Sequence, residues 1–209
     1  MMLKRNYIYT VCFCLAMLVF GGCKNAQEQG VRRIEAILQQ NAEDIVFGNE
    51  TAKHTIFLYA SYNCQYCRYL FSRTFPGLKE NYLDKGLVKV VLKFVDFGED
   101  PQTQYALKAA SCIYRHGNYH KFHELLLADP AIVASEKFRA LVDDIMAENT
   151  DIAQCVLSKP DSDFLKNNLK EFREHQFTGT PTMVINKHVY TGFVSFEKID
   201  AIIKKEFEM

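Results

Sequence analysis

The sequence predicts a mixed α/β fold: a four-stranded mixed sheet with helices on both faces, interrupted by an inserted α-helical domain. Three observations predict it. A buried-strand run, Thr55 to Ala60 (TIFLYA), leads directly into two cysteines, a helix-spaced segment and a second strand run, Leu87 to Phe97. From Pro101 to His175 apolar residues recur at helical intervals almost throughout. Two short strand runs, Thr182 to Asn186 and His188 to Phe193, then flank a tight turn and precede a last helix.

The elements follow in order. Val31 to Asn41 carries apolar residues at 31, 34, 37 and 38, the spacing of a helix. Asp44 to Gly48 is a short strand or turn. The strand at Thr55 is aromatic and β-branched, as buried strands are. Tyr66 to Tyr82 is helical, with Pro76 predicting a kink. In the helical stretch, Gly117-Asn118 breaks one helix from the next, Tyr119 to Ala128, and further helices cover Phe138 to Met146 and Phe164 to Phe172. Asn186-Lys187 is the tight turn, and Ser195 caps the helix Phe196 to Phe207. Strand–helix–strand at the start implies a parallel pair with a right-handed crossover, and the last two strands an antiparallel hairpin.

The N-terminus reads as a leader. Lys4 and Arg5 precede an unbroken apolar run, Val11 to Phe20, with Gly21 and Gly22 after it. A positive start, a short apolar core and small residues make an export signal over residues 1–22. The run falls short of the ~20 residues that span a bilayer. Val19-Phe20-Gly21-Gly22-Cys23 resembles a bacterial lipoprotein signal, in which the cysteine becomes the acylated first residue. That makes Cys23 the candidate lipid attachment point; the other reading is an ordinary signal with Cys23 a spare thiol. Residues 23–30 are then a short polar tether. The remaining chain divides into 31–100, the helical insertion 101–175, and 176–209.

The chain of 209 residues is 48% hydrophobic and has a formal net charge of zero, so nothing in it forms the basic face that nucleic acid needs. Seven cysteines are present. Cys12 and Cys14 leave with the signal and Cys23 takes lipid. Cys64, Cys67, Cys112 and Cys155 remain, an even number that permits two disulfides in an exported protein.

Cys64-Gln65-Tyr66-Cys67 carries the chemistry. It sits where a strand hands over to a helix, and helix N-termini offer unpaired N–H groups and a positive partial charge. A thiolate there is stabilised and becomes nucleophilic near neutral pH. The spacing brings the second sulfur round to the first within one turn. Cys64 is the expected attacking thiol and Cys67 the resolving one. Half a zinc site is the competing reading, and it needs further ligands. The richest cluster is His116, His120 and His123 with Cys112 one turn earlier, and the break at Gly117 argues against it. No metal and no cofactor is expected. Gly179-Thr180-Pro181-Thr182 stands at a strand entrance, where proline is either an ordinary edge residue or a cis-proline in a tight turn.

With those motifs together, three stretches resemble DsbA-like thiol–disulfide oxidoreductases: DIVFGNETAKHTIFLYASYNCQYC, KAASCIYRHGNYHKFHELLLA and GTPTMVINKHVYTG. The resemblance runs from about Asp44 onwards. It implies a thioredoxin fold with a helical insertion and Cys64–Cys67 as the redox pair. It implies Pro181 as a cis-proline against that pair, with Thr180 binding extended substrate and Tyr66 beside it. It also implies cysteine-containing exported proteins as clients and a membrane redox partner that regenerates the pair. Two departures stand out. Leu58 occupies the position, six before the first cysteine, where many relatives bury an acid; Lys93 in the next strand either contributes charge there or, as expected, lies on an outward, solvated face. And Gln65-Tyr66 lacks the proline or histidine common in strong oxidants.

The expected function is an exported, membrane-tethered disulfide oxidase, facing an extracytoplasmic (periplasmic) space. A reductase or isomerase of the same fold is the alternative, though the short stretch before Asp44 leaves no room for a dimerisation domain and favours a monomer. A non-enzymatic binding lipoprotein is the rival from another class. For Cys112 and Cys155 two readings stay open: buried free thiols, or a structural disulfide tying two helices of the insertion together.

Overall fold

The computed structural model describes residues 32–98, 100–158 and 163–209. The expected signal segment, the expected tether and the candidate lipidation residue Cys23 lie outside the described residues. The elements are β1 (Ile45–Phe47), β2 (His54–Ala60), a helical stretch α1 over 65–83, β3 (Val88–Phe94), α2 (Pro101–His116), α3 (Tyr119–Ala128), a 3₁₀ turn (Pro130–Ala134), α4 (Glu136–Glu148), α5 (Thr150–Leu157), α6 (Asp163–Glu174), β4 (Thr182–Ile185), β5 (His188–Thr191) and α7 (Phe196–Phe207).

Among the described residues the sheet has five strands rather than the four expected, in the order β1-β3-β2-β4-β5. There β2 and β3 run parallel; β1 pairs antiparallel with β3, β4 with β2, and β5 with β4. The added strand is β1. Its three residues are too few to show a period of two, and all three are buried. Gly48 ends it at φ +92°, where a Cβ would meet the Val88 carbonyl at 2.9 Å, so only glycine lets the chain turn away so close to β3. At the other end of the sheet, Asn186 (φ 47°) and Lys187 (φ 70°) both adopt the left-handed conformation of a two-residue hairpin turn.

Alternate residues of each strand feed two cores. Ile56, Leu58 and Ala60 of β2, with Val88, Val90 and Leu92 of β3, pack towards α1, the helical block and α7. Tyr59, Val95 and Val184 pack on the opposite face with Phe172 of α6, Phe177, Ile34 and Leu38. Side-chain caps delimit the insertion's helices. Asp100 accepts from the Thr103 amide at 2.9 Å, and Asn149 accepts from the amides of Asp151 and Ile152. Gly117 ends α2 in an extended conformation, its N–H donating to Ile113 O at 2.8 Å.

Three expectations are corrected. Residues 32–41 form no helix. Arg33 bridges His188 antiparallel, Ile34 N–H donates to Lys187 O at 2.9 Å, and Val189 N–H donates to Arg32 O at 2.8 Å. The apolar spacing read as a helix comes from Ile34 and Leu38 dipping into the second core, while Ile37 is 79% exposed. Second, α1 is not one regular α-helix: wide π-helical turns at Leu70–Thr74 and Lys79–Leu83 flank Phe75–Leu78, where Pro76 sits. Third, Lys93 is not solvated. It is fully buried, with Nζ 3.0 Å from Asp44 Oδ2 and 3.5 Å from Glu171 Oε1. An ammonium so placed requires a counter-charge, and β1, the strand the sequence obscured, is preceded by the residue that supplies it.

Candidate functional site

The site forms where β2 ends. Val95 N–H donates to Ala60 O at 3.0 Å, the last contact of the parallel pair, and the chain then leaves the sheet through Ser61 to Asn63. Cys64 is the N-cap of α1, in an extended conformation. Its sulfur accepts the Cys67 amide at 3.2 Å, taking the place of the oxygen of a serine or aspartate cap. Cys67, one turn in, is 1% exposed and belongs to the main core.

The two thiols are pushed in opposite directions. The Cys67 thiol as hydrogen-bond donor lowers the Cys64 pKa to about 6; burial opposes this, and the Thr180 side chain and the amides of Cys67 and Tyr66 assist it. Burial raises Cys67 well above the ordinary thiol range, and its role as donor to Cys64 raises it further. A nucleophile and a reserve thiol are thus separated by one helical turn.

The second component comes from 116 positions away. The Thr180–Pro181 peptide is cis, and the Cys64 thiol donates to Thr180 O at 3.2 Å. Tyr59 of β2 faces Thr182 of β4, which carries Pro181 to the mouth of the site. Thr182 Oγ1 donates to Gly179 O at 2.6 Å and Gly192 N–H to Pro181 O at 2.7 Å, fixing that turn on both sides. Tyr66 is largely exposed beside the cysteines. Its ring meets Tyr69 edge-on at 6.2 Å, Tyr69 meets Phe193 at 6.5 Å, and the Arg73 guanidinium lies 4.7 Å from the Tyr69 ring. Leu58 is buried on the Cys67 side of the sheet, whereas the Lys93–Asp44 pair lies on the other side.

The remaining candidates lie elsewhere. Cys112 of α2 and Cys155 of α5 are joined as a disulfide, their Cα atoms 5.7 Å apart. Cys112 is therefore no ligand, and among the described residues no three His, Cys, Asp or Glu side chains converge as a metal site. Sequence reasoning missed the polar cluster next to the site: the Tyr62 and Tyr119 hydroxyls, 2.9 Å apart, both within 3.2 Å of His123 Nδ1. The four-residue spacing of Tyr119 and His123 on one helix was its only trace.

Comparisons with known proteins agree with this geometry. The family model described as Thioredoxin matches residues 40–205. A putative protein-disulfide oxidoreductase of Rickettsia bellii is 27% identical over 87% of this chain and 71% of its own length. Disulfide bond formation protein D of Bacillus subtilis is 26% identical over 78% and 77%. Among solved structures, oxidised BdbD from Bacillus subtilis superposes with a TM-score of 0.67 at 21% identity, covering 80% of this chain and 94% of that one. The catalytic domain of Proteus mirabilis ScsC gives 0.64 at 23%, covering 82% and 93%. The chain belongs to the thioredoxin family and is a DsbA-like thiol–disulfide oxidoreductase.

Proposed function

We propose that this oxidoreductase works as a disulfide oxidase in an extracytoplasmic compartment, with Cys64 and Cys67 as its redox pair. The observation that carries the proposal is the placement of the Cys64 sulfur at the N-cap of α1, where it accepts the Cys67 amide at 3.2 Å and its pKa is held down. A stabilised thiolate favours the reduced pair, which makes the oxidised pair a strong electron acceptor. A client thiolate attacks the Cys64 sulfur, the Cys64–Cys67 bond breaks, and the electron pair leaves on Cys67. A second client thiolate then attacks the client sulfur of the mixed disulfide. Cys64 leaves as the stable thiolate, and the client keeps the disulfide. Thr180 and Pro181 border the approach to Cys64, and Tyr66 with Tyr69 and Phe193 offers an apolar edge for an extended, cysteine-containing client. Regeneration by a membrane redox partner completes the cycle.

Export through residues 1–22 and acylation at Cys23 complete the reading. The Cys112–Cys155 disulfide suits such a compartment, since structural disulfides persist in oxidising spaces. Equilibration of the Cys64–Cys67 pair with glutathione tests the direction of the chemistry. A potential less negative than about −200 mV is expected, and one near about −270 mV would make the protein a reductant instead. Cys23→Ser should move the protein out of the detergent phase, and unchanged partitioning would remove the anchor.

A further inference from the structure

A stripe of exposed side chains leads along α1 away from the redox pair. Tyr66, Tyr69 and Arg73 follow Cys64 at helical spacing, and Phe193, from the connection between β5 and α7, stands beside them. Tyr66 is 58% exposed and Phe193 38%. Gln65 Nε2 donates to Tyr69 Oη at 2.8 Å, which holds the middle ring of the stripe. Arg73 lies in the wide turn Leu70–Thr74, its guanidinium above that same ring.

The charges here have one sign. Residues 61–79, which carry the cysteines and this stripe, and residues 176–196, which carry Pro181 and Phe193, contain no aspartate or glutamate. They do contain Arg68 and Arg73. Arg68 is half-buried and directs Nη1 to Tyr62 O at 3.4 Å. Arg73 is exposed, and among the described residues no ion pair engages it. A guanidinium stacked on a ring keeps its N–H fork free in its own plane, the geometry that grips a carboxylate with two parallel bonds. The neighbouring acids are placed elsewhere. Asp84 is held by Lys79 and Asp200 of α7 by Tyr82 and Lys204; exposed Glu80 lies two turns further along α1, and exposed Glu197 has Lys198 beside it. Tyr69 and Arg73 are five and nine positions beyond Cys64, roughly 7.5 and 13.5 Å along a helix axis. An extended peptide covers that distance in about two to four residues.

We propose that Arg73 determines specificity: it selects clients that carry an aspartate or glutamate about two to four residues from the reacting cysteine. The carboxylate takes the free fork of Arg73 while the chain between it and the cysteine lies along Tyr66 and Tyr69. The inference rests on the reading of Cys64 as the thiol that meets protein clients, and it holds for either direction of the redox chemistry.

Two peptides test the charge. One has a single cysteine with an aspartate three residues away on each side, the other has asparagine at those positions, and each is joined to thionitrobenzoate through a disulfide. The Cys64 thiolate of the reduced protein attacks the peptide sulfur, the bond to thionitrobenzoate breaks, and thionitrobenzoate leaves with the electron pair as a coloured thiolate. The quantity read is the rate with the aspartate peptide over the rate with the asparagine peptide, which cancels any general loss of reactivity in a variant. At low salt this ratio should be about two- to fivefold higher in the unaltered protein than in Arg73→Gln, the usual worth of an exposed ion pair. High salt should close the gap, and Arg73→Glu should bring the ratio below that of Arg73→Gln. If Arg73→Glu does not fold, Arg73→Gln and the salt dependence decide. The same ratio in every chain overturns the proposal and leaves Cys64 as the client thiol. No release from either peptide overturns the proposal together with the client reading.

Discussion

The Cys67 amide donates to the Cys64 sulfur across one turn of α1, at 3.2 Å. This bond exists only because the residue before the helix is a cysteine. It joins the cap of the helix to the ionisation of the thiol, so that anything loosening the first turn also raises the Cys64 pKa.

Alkylation of the reduced protein by iodoacetamide should therefore depend on pH with a midpoint near 6, not at the ordinary thiol value of about 8.5. The stability effect has a definite sign. A depressed folded pKa contributes stability that is complete above the unfolded pKa and vanishes as pH falls through the folded one. The reduced chain should gain on Cys64→Ser between about pH 6 and about pH 8.5. Urea unfolding at several pH values checks this, and a constant difference between the two chains would contradict it.

Cys64→Ser should abolish turnover of dithiol substrates. Cys67→Ser should retain attack and accumulate mixed disulfides, visible as reducible adducts on non-reducing gels. Near-normal turnover in the Cys64→Ser chain would remove the assignment of the attacking thiol.

Lys93→Met leaves the Asp44 carboxylate buried without a counter-charge, and should destabilise by about 3–5 kcal/mol. Asp44→Leu combined with Lys93→Met removes both charges and should recover most of that loss. A double variant as unstable as the sum of the singles would mean that the pair interacts little.

Replacing Cys112 and Cys155 together by alanine opens a cross-link spanning 43 positions. The chain-entropy contribution of a loop this long is about 4 kcal/mol, and denaturant unfolding measures it. Cys64 reactivity should be unchanged, because the bridge joins α2 to α5 and does not enter the redox cleft.

The legible parts of this chain are those with a strong local period or a residue type of narrow use. The limits of α7 were readable from Ser195 and the spacing of Phe196, Ile199 and Ile203. The β4–β5 hairpin was readable from Asn186-Lys187 between two apolar runs. Cys64, Cys67 and Pro181 stood out because their positions at element boundaries have few other uses. What escaped depended on distant contacts. Ile34 and Leu38 have helical spacing, yet residues 32–34 pair with β5 and both side chains are buried in the second core. Lys93 reads as a surface residue until Asp44 and Glu171 are brought against it. The Tyr62–Tyr119–His123 triangle needs the fold to join α3 to the loop before Cys64.

The pairing of residues 32–34 with β5 has a practical side. Arg32 is held there by the carbonyls of His175 and Gln176 and by the Phe177 ring. The stretch works as a selvedge, finishing a border of the sheet that would otherwise fray into contact with other molecules. A version trimmed past Leu38 would keep both cysteines and the cis-proline, yet bare the outer rim of β5 and invite self-association. The safe place to cut is ahead of Arg32.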